Sequence, residues 1–202
     1  RQYAGRLLEG VVRSIGEEKG AVLTTSVEQA LANKAEGRLS VFLGLENGSA
    51  IGDSLDELRR FYDAGVRYVT LCHTGNNQIC DSCATGEKLW NGLSPFGREV
   101  VAEMNRIGMM VDVSHISDDA FYDVIKCSSR PVVATHSCCR ALADHPRNLT
   151  DDMIRSIAEK NGVVQVNFYP LFLDSGFGAV LDGSGIAERG EAVENEFIAD
   201  PA

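Results

Sequence analysis

No apolar run in this sequence approaches the ~20 residues that cross a bilayer. The first ten residues, RQYAGRLLEG, have neither an initiator Met nor the apolar core of a signal peptide, so the chain is expected to be processed or a fragment. Positive charge is scarce: 19 Lys and Arg against 29 Asp and Glu give a formal net charge of −10. A chain of that sign repels phosphate backbones and anionic lipid surfaces, which argues against nucleic acid and peripheral membrane binding. Six cysteines in 202 residues are too few for a disulfide-stapled scaffold. Cys80-Asp-Ser-Cys83 has the C-x-x-C form, but no second pair completes a zinc tetrad, and Cys138–Cys139 read as small side chains packed at a helix start. P-loop, G-x-G-x-x-G, G-x-S-x-G and H-E-x-x-H motifs are also missing, which removes the usual nucleotide, serine-hydrolase and zincin readings.

What remains is the composition of a folded globule, 44% apolar and 24% charged, long enough for one domain with a sizeable core. Its centre is residues 109–147. Two apolar runs, Met109–Val113 and Pro131–Ala134, are each followed by a histidine, His115 and His136, with an amphipathic run at Asp118–Lys126 between them. The order is strand, histidine, helix, strand, histidine. Around it the periodicity predicts helices over 1–20, 26–35, 54–65, 94–106, 137–143 and 151–160, and strands over 39–45, 67–72 and 162–168. Ser54, Ser94-Pro95 and Thr150 are read as helix starts. Five βα units with near-continuous apolar strands mean an α/β fold with a parallel sheet covered on both faces. That is either an open sheet or part of a (β/α)8 barrel, here read as one partial-barrel domain over 1–202. Residues 174–202 are expected to form an acidic, Gly-rich loop or insertion, with one short helix near 187–197.

Four polar residues, Glu46, His73, His115 and His136, follow four successive strands. Taken singly, each has a plainer reading as a loop carboxylate or a loop or core histidine. Together they suit one Zn²⁺ with an open position, since barrel active sites lie at the C-terminal ends of strands. Arg147, in the His145–Asn148 loop, either grips a carboxylate through a bidentate fork or is a surface arginine. Asp112 could orient a histidine, but alternation directs it away from the site and favours structural pairing. Trp90 either walls a pocket or is a packed aromatic.

These stretches closely resemble the membrane dipeptidase (renal dipeptidase) family of zinc peptidases. The matching text is LGLENG at 43–48, GVRYVTLCHTGNN at 65–77, GLSPFGREVVAEMNRIGMMVDVSH at 92–115, PVVATHSCCRALADHPRN at 131–148 and NGVVQVNFY at 161–169. The resemblance implies a (β/α)8 barrel with two zinc ions bridged by a carboxylate and a water or hydroxide. Glu46 resembles the bridging glutamate, and His115 and His136 the two histidines of one zinc. His73 resembles the histidine that stabilises the oxyanion, and Arg147 the arginine that binds the substrate carboxylate. The implied function is a zinc-dependent dipeptidase that hydrolyses dipeptides through a metal-bound hydroxide.

The sequence departs from the family in lacking the first-strand H-x-D pair that holds the other zinc and the late catalytic aspartate. At most one well-ligated zinc site is therefore expected in this chain. The alternatives are a non-catalytic metal-binding fragment and another metal-dependent barrel amidohydrolase. Phe172 lies where some relatives carry a substrate-binding tyrosine. Gly75 and Ala143 replace cysteines of disulfide-bonded animal relatives. The parent is expected to be a bacterial cytoplasmic protein, periplasmic or surface location being the alternative, and a homodimer is one candidate assembly.

Overall fold

The structure, a computed structural model, describes residues 2–177 and 180; most of the acidic tail and the helix expected near 187–197 lie outside them. Five parallel strands form the main sheet: β3 (Leu43–Glu46), β4 (Val66–Thr70), β5 (Met110–Asp112), β6 (Val132–Ala134) and β7 (Val163–Val164), in the order β3-β4-β5-β6-β7. Each gap is crossed by a helix: α3 (Leu55–Asp63), α4 (Pro95–Ile107), α5 (Asp118–Cys127) and α6 (Asp151–Glu159). Successive helices touch along the outside, α3 on α4, α4 on α5, α5 on α6. Sequential parallel strands with helices on one side make an arc of a (β/α)8 barrel. Ahead of it lie α1 (Gln2–Glu17), β1 (Ala21–Leu23), α2 (Val27–Ala35) and β2 (Leu39–Val41), with β1 and β2 paired as a separate parallel ribbon.

All four crossover helices start on a hydroxyl. Ser54, Ser94, Ser117 and Thr150 accept the N–H of Glu57, Gly97, Ala120 and Met153, respectively. Each such cap is worth ~1 kcal/mol. Helix α4 ends at Gly108, whose φ of 82° is the left-handed conformation glycine adopts without penalty. Its first turn rests directly on the β4–α4 loop: a Cβ on Gly97 would lie 2.1 Å from the Ile79 carbonyl oxygen. The core lies between sheet and helices, with Leu58 and Phe61 of α3, Val69 of β4, Val100 and Met104 of α4, Val111 of β5, Phe121 of α5 and Ile157 of α6 almost wholly buried.

Three expectations need correction. The run 39–45 is two strands in two sheets, because Leu39–Val41 turns away to pair with Ala21–Leu23, three residues too few to announce themselves. Of 162–168, only Val163–Val164 pairs as strand. Residues 137–143 are not helical. Their backbone bonds to the following loop instead: Asn148 Oδ1 accepts the Cys138 N–H, Cys138 O accepts the Leu149 N–H, and Leu149 O accepts the Arg140 N–H. Cys138 and Cys139 therefore do not open a helix.

An ion cluster ties α3 to α4. The Glu103 carboxylate, nearly buried, accepts from Arg59 Nε at 2.5 Å and from Arg106 Nε and Nη2 at 2.7 Å. Arg106 first and Arg59 second hold its pKa down at about 2. The folded-state pKa lies below that of the unfolded chain, so the stabilisation is complete above the unfolded value of ~4.3 and fades as pH falls towards 2. Glu103→Gln should cost ~1–2 kcal/mol at pH 7, both arginines being partly solvated. Urea melts at pH 7 and pH 3 check this, and a gap between variant and parent that does not shrink at pH 3 would refute it.

Strands β3 and β7 are the edges of the main sheet, and a cleft of about 740 Å³ runs past Phe42, Tyr68, Met110, Val132 and Val163. Val163, Val166 and Phe168 are all more than half exposed. Unpaired edges beside bare apolar side chains are templates for association. The 202-residue chain alone should therefore self-associate; a sharp monomer peak by light scattering, with a cooperative melt, would contradict this.

Candidate metal centre

Glu46 is the last residue of β3, and His73, His115 and His136 lie two or three residues beyond the ends of β4, β5 and β6. The sheet carries them to one end of the barrel arc. Glu46 Oε1 lies 3.3 Å from His115 Nε2 and 3.3 Å from His136 Nε2, and the two Nε2 atoms are 2.8 Å apart. His73 stands beside them, Nε2 3.7 Å from Glu46 Oε1 and its ring 4.2 Å from that of His115. The remaining histidine of the sequence, His145, is in the loop beyond β6, so all four gather at this end.

The local backbone is bent to make this possible. His115 has φ 72°, a left-handed conformation that costs a non-glycine residue ~1–2 kcal/mol. It is held there from the β4–α4 loop: the His115 carbonyl accepts from Cys83 N–H at 2.9 Å, Ser82 Oγ at 3.4 Å and Cys72 Sγ at 3.7 Å. That loop is itself wound around buried Asp81, whose carboxylate accepts the N–H groups of Leu89, Trp90 and Gly92. Asp81 was invisible in the sequence because its partners are backbone amides. Trp90 donates its indole N–H to the Asn77 carbonyl at 2.7 Å, so it braces the loop.

The ligand atoms of Glu46, His115 and His136 all lie within 4.8 Å of one another. Two imidazoles and a carboxylate are a donor set for zinc, whose bonds of 2.0–2.1 Å set tetrahedral edges of about 3.3 Å. Two of the three observed edges are 3.3 Å and the third is shorter, so the residues fit such an ion. Burial pushes His115 down to about 3, with help from Arg147, His73 and His136. Burial and then Arg147 also lower His136, against opposing pulls from Asp112 and Glu46. Both imidazoles are thus neutral near pH 7, as metal ligands must be. His115 Nδ1 is buried with no hydrogen-bond partner among the described residues.

Arg147 is not a surface arginine. Only 8% exposed, it donates from Nη2 to the His136 carbonyl at 3.2 Å and lies 5.4 Å from the centroid of the Phe172 ring. No carboxylate pairs with it among the described residues, and burial lowers its pKa. A buried cation without a counter-ion is costly unless a ligand supplies one. Asp112 does pair structurally, but with strand-end donors rather than with a cation. It is fully buried and accepts from the Thr70 and Thr135 hydroxyls at 2.6 Å and from the N–H groups of Ser114 and Thr135 at 3.0 Å. Thr135 was not singled out from the sequence; Thr70 is level with Asp112, but Thr135 lies two residues beyond Val133, the partner of Asp112 on β6. All six cysteines are free thiols.

The profile of the family described as membrane dipeptidase, peptidase family M19, matches residues 10–198. An uncharacterized dipeptidase of Schizosaccharomyces pombe is 43% identical over 135 residues, covering 67% of this chain and 33% of that protein. This chain thus spans a third of that relative's length. Among solved structures, the probable dipeptidase PvdM of Pseudomonas aeruginosa superposes with a TM-score of 0.76 at 32% identity, over 84% of this chain and 43% of that one. A Rhodobacter sphaeroides metallo peptidase, liganded with a phosphinate mimic of the dipeptide L-Ala-D-Ala, gives 0.70 at 33% identity, over 75% and 44%.

Proposed function

Because the chain belongs to the membrane dipeptidase family, peptidase family M19, we propose that the whole protein is a zinc-dependent dipeptidase and that this segment carries the ligands of one ion. The observation that carries the reading is the convergence of Glu46, His115 and His136 ligand atoms within 4.8 Å at three strand ends. A zinc ion there would supply Lewis-acid polarisation of the scissile carbonyl and a water of lowered pKa. No H-x-D motif occurs in this sequence, so ligands for a second ion would come from elsewhere in the whole protein.

The chain's own groups then divide the work. Buried His115 and partly exposed His136 present neutral imidazoles, and Glu46, half-exposed, closes the site with negative charge. His73, partly open to solvent against the His115 ring, can donate from its ring N–H to a carbonyl oxygen as charge builds there. Arg147 offers two parallel donors to a free C-terminal carboxylate, which would confine substrates to very short peptides. The dipeptide mimic bound by the Rhodobacter relative supports that substrate class. Among the described residues no helix is long and apolar enough to cross a membrane. With six free thiols, a reducing cytoplasm is the compartment we propose.

The test uses the whole protein, loaded with zinc or stripped by a chelator, against L-Ala-L-Ala, L-Ala-D-Ala and their C-terminal amides. Hydrolysis of the free acids, abolished by stripping and restored by zinc, is the expected result. Cleavage unaffected by chelation, or amides cleaved as well as acids, would overturn the reading. Zinc content separates it from a non-catalytic metal-binding role: two ions support the dipeptidase, one or none the alternative.

A further inference from the structure

We propose that Thr135, held by Asp112, is a positioning residue that fixes His136 in the tautomer with Nε2 bare and therefore ready to bind the ion. The inference rests on the metal-centre reading above and deepens it. It follows from counting protons. Asp112 is fully buried and accepts four hydrogen bonds, two from hydroxyls at 2.6 Å and two from backbone N–H groups at 3.0 Å. With two donors on each carboxylate oxygen, Asp112 acts only as an acceptor here. The 2.6 Å contacts have the short length of hydroxyl-to-carboxylate bonds. Thr135 thus commits its one hydroxyl proton to Asp112 Oδ2.

Thr135 Oγ1 also lies 2.7 Å from His136 Nδ1. Having no second proton, the hydroxyl can only accept there, so Nδ1 carries the N–H. A neutral imidazole has one N–H, so Nε2 holds a lone pair directed at Glu46 and His115. The opposite tautomer would set two lone pairs against each other at 2.7 Å.

Three variants of the whole protein test this: Thr135→Val, which removes the hydroxyl but keeps the shape, Thr135→Ser, which restores it, and Glu46→Gln as a ligand control. Zinc affinity is measured by competition with a chromophoric chelator, and the His136 ring tautomer by ¹⁵N spectra of histidine-labelled, metal-free protein. Thr135→Val should weaken zinc by ~10–100-fold, the usual loss for an outer-shell partner, while Thr135→Ser stays within about threefold of the parent. The parent's His136 should show a protonated Nδ1, and Thr135→Val a mixture of tautomers. An unchanged zinc affinity in Thr135→Val, a Thr135→Ser as weak as Thr135→Val, or a protonated Nε2 in the parent each overturns the proposal. If the parent takes up no zinc, or Glu46→Gln binds it equally well, the metal-centre reading falls, and the ring spectra still decide where the proton lies.

Discussion

Glu46→Gln should lower kcat by at least about a hundredfold and strip the protein of metal, while leaving the stability of the metal-free protein almost unchanged. Losing a partner one shell out from a metal typically costs ~10–100-fold, and losing the charge of a ligand cannot cost less. Glutamine keeps the length of the side chain but offers a weaker, uncharged oxygen, and its NH₂ group is a donor that cannot ligate an ion and would instead compete for the lone pairs of the two imidazole nitrogens. Glu46 Oε1 now lies 3.3 Å from both of those nitrogens. The fold should not notice, because the Glu46 side chain is 53% exposed and such positions usually shift stability by no more than ~0.5 kcal/mol. Metal analysis and steady-state kinetics, with a thermal melt of the metal-free proteins as the control, check all three parts. A variant that retains its zinc and its kcat would remove Glu46 from the centre.

Arg147→Lys should behave differently, raising KM for dipeptides about tenfold or more with kcat little changed. A hydrogen bond to a charged group is worth ~1.5–3 kcal/mol, and 1.4 kcal/mol is a factor of ten. An anchor that grips the substrate equally in ground and transition states moves KM and leaves kcat alone. Arginine can hold the His136 carbonyl with one nitrogen, at 3.2 Å, while turning its others to a carboxylate. Lysine has a single ammonium on a flexible stem and must choose. Should Arg147→Lys lower kcat as severely as Glu46→Gln, the arginine is a prop for the His136 backbone and not the anchor.

The first four strands of the main sheet were legible because each is a short apolar run closed by a polar residue and followed by a hydroxyl-capped helix. Glu46, His73, His115 and His136 could be named for the same reason: a residue just past a parallel strand has only one end of a barrel to occupy. What failed was local and polar. Residues 137–143 have helical composition, yet Asn148 captures their backbone through the Cys138 N–H and the Ala143 carbonyl, a competition that periodicity cannot register. Asp112 pairs structurally as expected, but strict alternation, which takes each side chain as up or down and directed it away from the site, gave no hint of its partners. Its carboxylate reaches along the strand ends to Thr70 and Thr135. Residue type left Arg147 open between gripping a carboxylate and lying on the surface, and only the packing of Phe172 and the His136 carbonyl around it reveals its burial.

The gathering of all four histidines at one end of the arc also determines how the molecule looks from a distance. Its formal charge of −10 counts every imidazole as neutral. Burial holds His115, His136 and His145 below their ordinary range, so the structure enforces that count for three of the four. Histidine is the side chain that ordinarily changes charge between pH 5 and 8. The far field of this chain is therefore nearly constant and anionic across neutral pH. Bulk measures such as ion-exchange retention are blind to protonation at the mouth. At long range that net charge disfavours anionic molecules relative to zwitterions of zero net charge.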